Sequence, residues 1–190
     1  MRILFAHGAG VPSSHAWMRA WTDRLATLGT VTTFDYPYMR EGRRRPDAHG
    51  VLLEAHRAAL ADVRREGSGP IVLAGKSMGS RIGCHLALDE TDVHALVCFG
   101  YPLVSPGKKK ALRDQVLVDL RAPILFIQGT RDRLCPLDEL ARVRERMTAA
   151  SELHVVEAGD HSLAVTKKQS QEAADAGILA AIRSFLSRAE

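Results

Sequence analysis

The chain lacks most of the features that would place it quickly in a special class. It has three cysteines in 190 residues. They are an odd, widely spaced set with no C-x-x-C pair, so neither a disulfide framework nor a zinc or other metal site is indicated. Thiols used in this way suit a reduced, cytoplasmic setting. Cys84 and Cys98 fall in apolar runs and read as small buried hydrophobes. Aromatic residues make up only 5% of the chain and are not interleaved with basic ones. No nucleic-acid reading motif accompanies the basic residues, which argues against nucleic acid as a partner. No apolar run approaches the ~20 residues of a membrane-spanning helix. The opening Met1–Gly8 is too short for a secretory signal and is followed by no small-residue cleavage site, so it reads as a first strand. No linker, internal repeat or second core is visible.

What is present is ordinary in amount and informative in order. Apolar residues make up 46% and charged residues 25%, with a formal charge of +4, close to globular averages. The length suits one domain spanning residues 1–190, able to bury roughly 70% of its unfolded surface without disulfide or metal. The positive charge is clustered in Arg40 and Arg43–Arg45, in Lys108–Lys110 and in Lys167–Lys168.

Strand-length apolar runs occur at Ile3–Ala6, Val31–Phe34, Ile71–Ala74, Ala95–Phe99, Ile124–Ile127 and Leu153–Val156. Most are continuous rather than alternating, as in strands buried on both faces of a parallel sheet. Helical spacing fills the gaps: Trp17, Trp21, Leu25 and Leu28; Leu52 to Val63; Leu140, Val143 and Met147; Ile178, Ile182 and Phe185. Six β–α units predict a doubly wound α/β fold, a three-layer sandwich around a six-stranded parallel sheet. Ligands of such sheets bind at the carboxyl ends of the strands.

Those ends hold the chemistry. The third strand runs into Gly75-Lys76-Ser77-Met78-Gly79, with helix expected from Ser80. This is G-x-S-x-G in a strand-to-helix turn, where a sharp bend exposes the serine hydroxyl and small neighbours avoid collision. A serine needs a base, and His161, after the sixth strand, is at the right edge. His7 and His15 are near without occupying that position, and the remaining histidines fall in or beside helices and strand starts. The base needs an acid to set its tautomer. Asp132, after the fifth strand, is the choice; Asp160 is the competitor, but as the neighbour of His161 it is better suited to shaping the turn. An oxyanion hole needs one N–H from Met78 and one from the small-residue loop His7-Gly8-Ala9-Gly10, with Ala9 the first choice and Gly10 the second. Neither G-x-G-x-x-G nor a P-loop is present, so no phosphate cradle and no cofactor are expected. Tyr36, Tyr38, Met78, Tyr101, Leu103 and Leu134 lie on loops of the same edge as candidate pocket residues. Arg40, Arg43, Arg44 and Arg45 follow the second strand there; they offer a landing place to an anionic substrate, and the plainer reading is a solvated loop.

With these elements in this order, the chain resembles the α/β-hydrolases over essentially its whole length, Ile3 to Phe185. Several passages resemble a small branch described as dienelactone-hydrolase-like, which includes the hydrolase-like domain of a chromatin-complex subunit. They are His7–Gly10, Phe34–Met39 with Gly42-Arg43-Arg44, Gly100–Leu103 and Gln128–Asp132. The resemblance implies a minimal core with strand order 2-1-3-4-5-6. It also implies a cofactor-free serine hydrolase acting through Ser77, Asp132 and His161 on a small carboxylic ester or thioester. Dienelactone hydrolases carry a cysteine where this chain has Ser77, so their substrate is not implied. The connection from Tyr101 to Ala122 is too short for a cap domain and has room for a loop and one short helix. Two other readings share the fold: a catalytically silent binding or scaffold module, and an acyltransferase using the same triad.

Overall fold

The computed structural model of the chain describes residues 1–105 and 111–189. Lys108, Lys109 and Lys110 lie outside the described residues. Strands and helices alternate as β1 (Arg2–Ala6), α1 (Ala16–Leu25), β2 (Thr30–Phe34), α2 (Pro37–Arg40), α3 (His49–Arg65), β3 (Ile71–Lys76), α4 (Met78–Leu86), β4 (Val93–Phe99), α5 (Gln115–Val118), β5 (Ile124–Gly129), α6 (Leu137–Arg144), β6 (Ser151–Val156) and α7 (Gln171–Ala189).

The six strands form one sheet in the order β2-β1-β3-β4-β5-β6, every pair parallel. Every residue of β3 and β5 is buried, which is why their apolar runs are continuous; β2 and β6 are edge strands and mostly half-buried. Alternate side chains serve two cores. Leu4, Leu73, Leu96 and Phe126 pack with residues of α3, α4, α5 and α6. Ile3, Phe5, Val72, Val97 and Leu125 pack with residues of α1 and α7 on the other face. Burying each such side chain contributes about 1.5–3 kcal/mol.

The helices differ from the sequence reading at their ends. α1 stops at Leu25 and α6 at Arg144, so Leu28 and Met147, in phase with those helices, reach their cores from the turns beyond. The stretch Pro37–Arg40, read as loop, is the short helix α2, started by a proline whose fixed φ suits a first turn. The Tyr101–Ala122 connection contributes a bridge between Val104 and Leu112 and the short α5, and no cap domain among the described residues. His15 caps α1, its Nδ1 accepting from the Trp17 N–H at 3.3 Å.

The topology fixes where a ligand can bind. From β1 the chain passes to β2 on one side and then to β3 on the other, so β1 and β3 are neighbours, with Ala6 paired to Gly75. The loops after these strands leave in opposite directions and open a crevice between them. The Gly8–Gly10 loop and the G-x-S-x-G turn meet there.

Candidate active site

Ser77 is held in a conformation that few non-glycine residues adopt, with φ 51° and ψ −110°. Such a backbone costs of order 1–3 kcal/mol and persists only where its surroundings over-determine it. Here they do. The Ser77 N–H donates to the Phe99 carbonyl at 2.9 Å, the Ser80 hydroxyl donates to the Gly75 carbonyl, and α4 begins at Met78, two residues earlier than the sequence suggested. The glycines are demanded by space. A Cβ on Gly75 would lie 2.3 Å from the Ser80 nitrogen, and one on Gly79 would lie 2.4 Å from the Ala6 carbonyl oxygen. Gly79→Ala should therefore lower stability by about 3 kcal/mol, since both backbones it would separate are buried; equilibrium unfolding in urea measures this.

The three candidate triad residues are brought together. Ser77 Oγ and His161 Nε2 are 2.8 Å apart, and His161 Nδ1 is 2.8 Å from Asp132 Oδ2. Asp132 is buried at 4% exposure. Burial alone would raise its pKa, but the His161 imidazole, the Leu134 N–H and the Gln128 amide outweigh it and hold the carboxyl below its usual range. The contacts account for this: Oδ2 also accepts from Gln128 Nε2 at 3.1 Å, and Oδ1 accepts from the Leu134 N–H at 2.9 Å. With Asp132 ionised, Nδ1 carries the proton and Nε2 is left to accept from the serine. Asp160 turns the other way. Its Oδ1 accepts from the N–H groups of Ser162 and Ala164 at 2.8 and 3.0 Å, shaping the turn that presents His161.

The loop after β1 is fixed from behind. His7 is fully buried, and burial lowers its pKa despite the Gly8 carbonyl and Asp35. Neutral, it donates from Nδ1 to the Gly8 carbonyl at 2.6 Å and accepts the Tyr36 N–H on Nε2 at 3.2 Å. The Tyr38 hydroxyl donates to the Ala9 carbonyl at 3.0 Å. The carbonyls of Gly8 and Ala9 are thus both occupied.

A cavity of about 410 Å³ opens over the serine, with Ser77, Met78, Ala9 and Leu134 in its wall. Gly10 is exposed and lies outside that wall. Of the pocket residues expected from sequence, Leu134 and Met78 are there, and Tyr36, Tyr38, Tyr101 and Leu103 are not: all four have no exposed surface. The reason is packing. Tyr36 meets Phe34 and His7 edge-on and bonds His56 Nδ1 through its hydroxyl at 3.1 Å, Tyr38 backs the first loop, and the Tyr101 ring stands on edge to Phe126. The arginine cluster also falls elsewhere. Arg43 pairs with Glu41 and Asp47, each at 2.7 Å, Arg40 borders a separate depression beside Val51 and Glu54, and Arg44 and Arg45 are exposed.

Two arginines not singled out in the sequence do line the cavity, Arg81 of α4 and Arg113. Neither makes an ion pair among the described residues; Arg81 Nη1 lies 3.2 Å from His85 Nε2. Burial, then the charge of Arg81, lowers the pKa of Arg113. The signal for Arg81 was its position, one helical turn after the serine; Arg113 had none. A cleft of about 670 Å³ lies at the opposite ends of β4 and β5, beside Val93 and Pro123, with neither serine nor histidine in its wall.

The model of a protein family described as an alpha/beta hydrolase domain matches residues 1–187. Among solved structures, the chain is similar to an alpha-beta serine hydrolase homologue from Coxiella burnetii, at 21% identity and a TM-score of 0.73, covering 98% of this chain and 83% of that one. It is similar to a putative dienelactone hydrolase from Klebsiella pneumoniae, at 20% identity and a TM-score of 0.75, covering 98% and 86%. A third is Est1E from Butyrivibrio proteoclasticus with ferulic acid bound, at 14% identity and a TM-score of 0.70, covering 98% and 88%. At these identities the likeness is one of fold.

Proposed function

The chain belongs to the alpha/beta hydrolase family, and from that premise we propose that it cleaves carboxylic esters or thioesters through an acyl-enzyme on Ser77. The observation that carries the reading is the unbroken chain of 2.8 Å contacts from Ser77 through His161 to the buried Asp132. Ser77 Oγ attacks the substrate carbonyl as His161 Nε2 takes its proton, and Asp132 stabilises the imidazolium that forms. The N–H groups of Met78 and Ala9 receive the developing oxyanion, each worth roughly 2.7–4 kcal/mol in the transition state. His161 returns the proton to the departing alcohol or thiol. Water, deprotonated by the same imidazole, then attacks the acyl-enzyme and releases the acid and Ser77.

The test is covalent. A fluorophosphonate should label one serine, located by peptide mass spectrometry at Ser77, in protein that also hydrolyses short-chain nitrophenyl esters. Labelling at another residue, or none, overturns the reading; an inert protein that carries a bound partner would identify a scaffold instead.

The cavity wall narrows the substrate class. Arg81 and Arg113 repel one another across it, whereas Asp47, the acidic residue in that wall, is engaged by Arg43 and by the Tyr38 N–H at 2.9 Å. A substrate bearing a carboxylate or phosphate relieves the repulsion and gains charge-assisted bonds. The double variant Arg81→Gln, Arg113→Gln is expected to lose about thirty-fold in kcat/KM for an ester with a terminal carboxylate, and less than about threefold for the uncharged ester of equal length. Equal losses on both would remove the arginines from recognition.

A further inference from the structure

Lys76, the variable residue inside the G-x-S-x-G turn, has no part in the steps above and yet occupies an improbable place for an ammonium group. It is 7% exposed. Its side chain turns back under the loop after β6, where Nζ donates to the main-chain carbonyl of His161 and lies 5.8 Å from the centroid of the Trp17 ring. Among the described residues it makes no ion pair. A methionine would fill this volume without desolvating a charge, so the ammonium is retained against a real cost. The loop it touches is itself strained, with Ala158 at φ 52° and Leu163 at φ 63°, and needs restraint from outside. Arg131 Nε at the Ala158 carbonyl, at 2.8 Å, and Gln171 Nε2 at the Leu163 carbonyl, at 3.2 Å, supply part of it, and two donors on separate elements supply it at the base itself. Lys76 holds the carbonyl of His161, and Nε1 of Trp17, in α1, holds the carbonyl of Ser162 at 3.0 Å.

We propose that Lys76 is a positioning residue that ties the loop carrying the base to the strand end carrying the nucleophile. Lys76 and Ser77 are adjacent in the chain, so a charged bond from Lys76 to the main chain of His161 makes the two reacting groups move as one body. Gly100, at the end of β4, leaves room for it: a Cβ there would stand 2.9 Å from Nζ and 2.7 Å from the His161 oxygen. The titratable groups facing the ammonium are Asp132 after β5 and Asp160 and His161 after β6, while α1 presents Trp17 and the β1 and β4 ends present Gly8 and Gly100. Burial lowers the pKa of Lys76 to about 8, against the opposing pull of Asp132 and Asp160. The bond is therefore charge-assisted at neutral pH and weakens as pH rises through that value, so positioning should decline on the alkaline side, where a serine–histidine pair alone holds a plateau.

The inference rests on Ser77 and His161 acting as proposed, and the experiment separates the two. The rate of fluorophosphonate labelling and the kcat and KM for nitrophenyl acetate are measured across pH for wild type, Lys76→Met and Lys76→Arg. Wild type should lose about threefold or more of both rates above pH ~8, with KM little changed. Lys76→Met should show kcat reduced about tenfold or more at neutral pH, KM within about twofold, and no alkaline decline. Lys76→Arg keeps its charge and should restore much of kcat while moving the decline to higher pH. If Lys76→Met fails to fold in a thermal melt, wild type and Lys76→Arg decide between them through the alkaline limb. A wild type labelled at Ser77 with no limb, or variants with its kcat and pH profile, overturns the inference alone; a wild type unreactive at every pH overturns it together with the serine-hydrolase reading.

Discussion

Ser77→Ala is expected to lower kcat for ester hydrolysis by about a million-fold, leaving a residue of roughly a thousand- to ten-thousand-fold over water from the oxyanion donors and binding. The loss is large because the rest of the machinery has nothing else to act on: His161 Nε2 has the serine hydroxyl as its partner, at 2.8 Å. The fold should not suffer with it. Alanine inherits φ 51° and ψ −110°, so the strain stays and the stability of the alanine variant should lie close to wild type. Ser77→Gly should be equally inactive and more stable than wild type by about 1 kcal/mol, since glycine enters this region without a Cβ penalty. Activity and stability thus move in opposite directions at one position, as they do where strain is kept for function. Steady-state kinetics with nitrophenyl esters, together with urea unfolding of the three proteins, reads both quantities. A Ser77→Ala protein that is folded and retains even a hundredth of wild-type kcat would remove Ser77 from the nucleophile's role.

How much of this was legible in the sequence depended on whether a residue's place is set by the strand ends or by layer packing. The apolar runs marked all six strands, and a parallel sheet puts every strand's carboxyl end on one edge, so Ser77, Asp132 and His161 could be brought near one another by counting strands. Tyr36, Tyr38 and Tyr101 sit on the same edge, but being on a loop does not say which way a ring points. Their rings turn inward, Tyr36 against Phe34 and His56, Tyr38 against His7 and Tyr101 against Phe126, and burying a ring is favoured over leaving it in solvent. His56 itself is a core histidine, pushed to about 3 by burial and then by His7. Arg81 stands one helical turn after the serine, a spacing visible in the sequence, but which side chains of α4 line the cavity follows from packing that the spacing alone does not define. Arg113 reaches the cavity through a loop connection whose path local sequence does not define, its N–H donating to the Leu103 carbonyl at 2.8 Å. Lys76 is visible in the sequence, but the motif assigns its position no chemistry; its bond is to a residue 85 positions away, which no local pattern shows.

Asp132→Asn should lower kcat by about ten-thousand-fold at neutral pH while the protein stays folded. The substitution preserves shape and frustrates every orientation of the new amide. Asp132 receives three donors: His161 Nδ1 and Gln128 Nε2 on one oxygen and the Leu134 N–H on the other. If the asparagine oxygen faces His161, its NH₂ meets the Leu134 N–H, and a buried donor left without an acceptor costs about 1–3 kcal/mol. If the NH₂ faces His161 instead, it donates to Nδ1 and drives the imidazole to the tautomer with its proton on Nε2, where it cannot accept from Ser77. Gln128 cannot turn to relieve this, because its own oxygen accepts the Tyr101 N–H. In both orientations the carboxylate proposed to stabilise the imidazolium is gone. The pH dependence separates this from simple unfolding. Asp132 has its pKa held below the unfolded value in the native protein, so its contribution to stability is full above about pH 4 and is lost as pH falls through the lowered folded value. At neutral pH the wild-type group is wholly ionised, and the kinetic deficit of the variant should be constant from about pH 6 upward. A deficit that instead closes as pH rises would mean that Asp132 acts only on the protonation of the base and not on the transition state. A variant with wild-type kcat throughout would return the acid's role to Asp160.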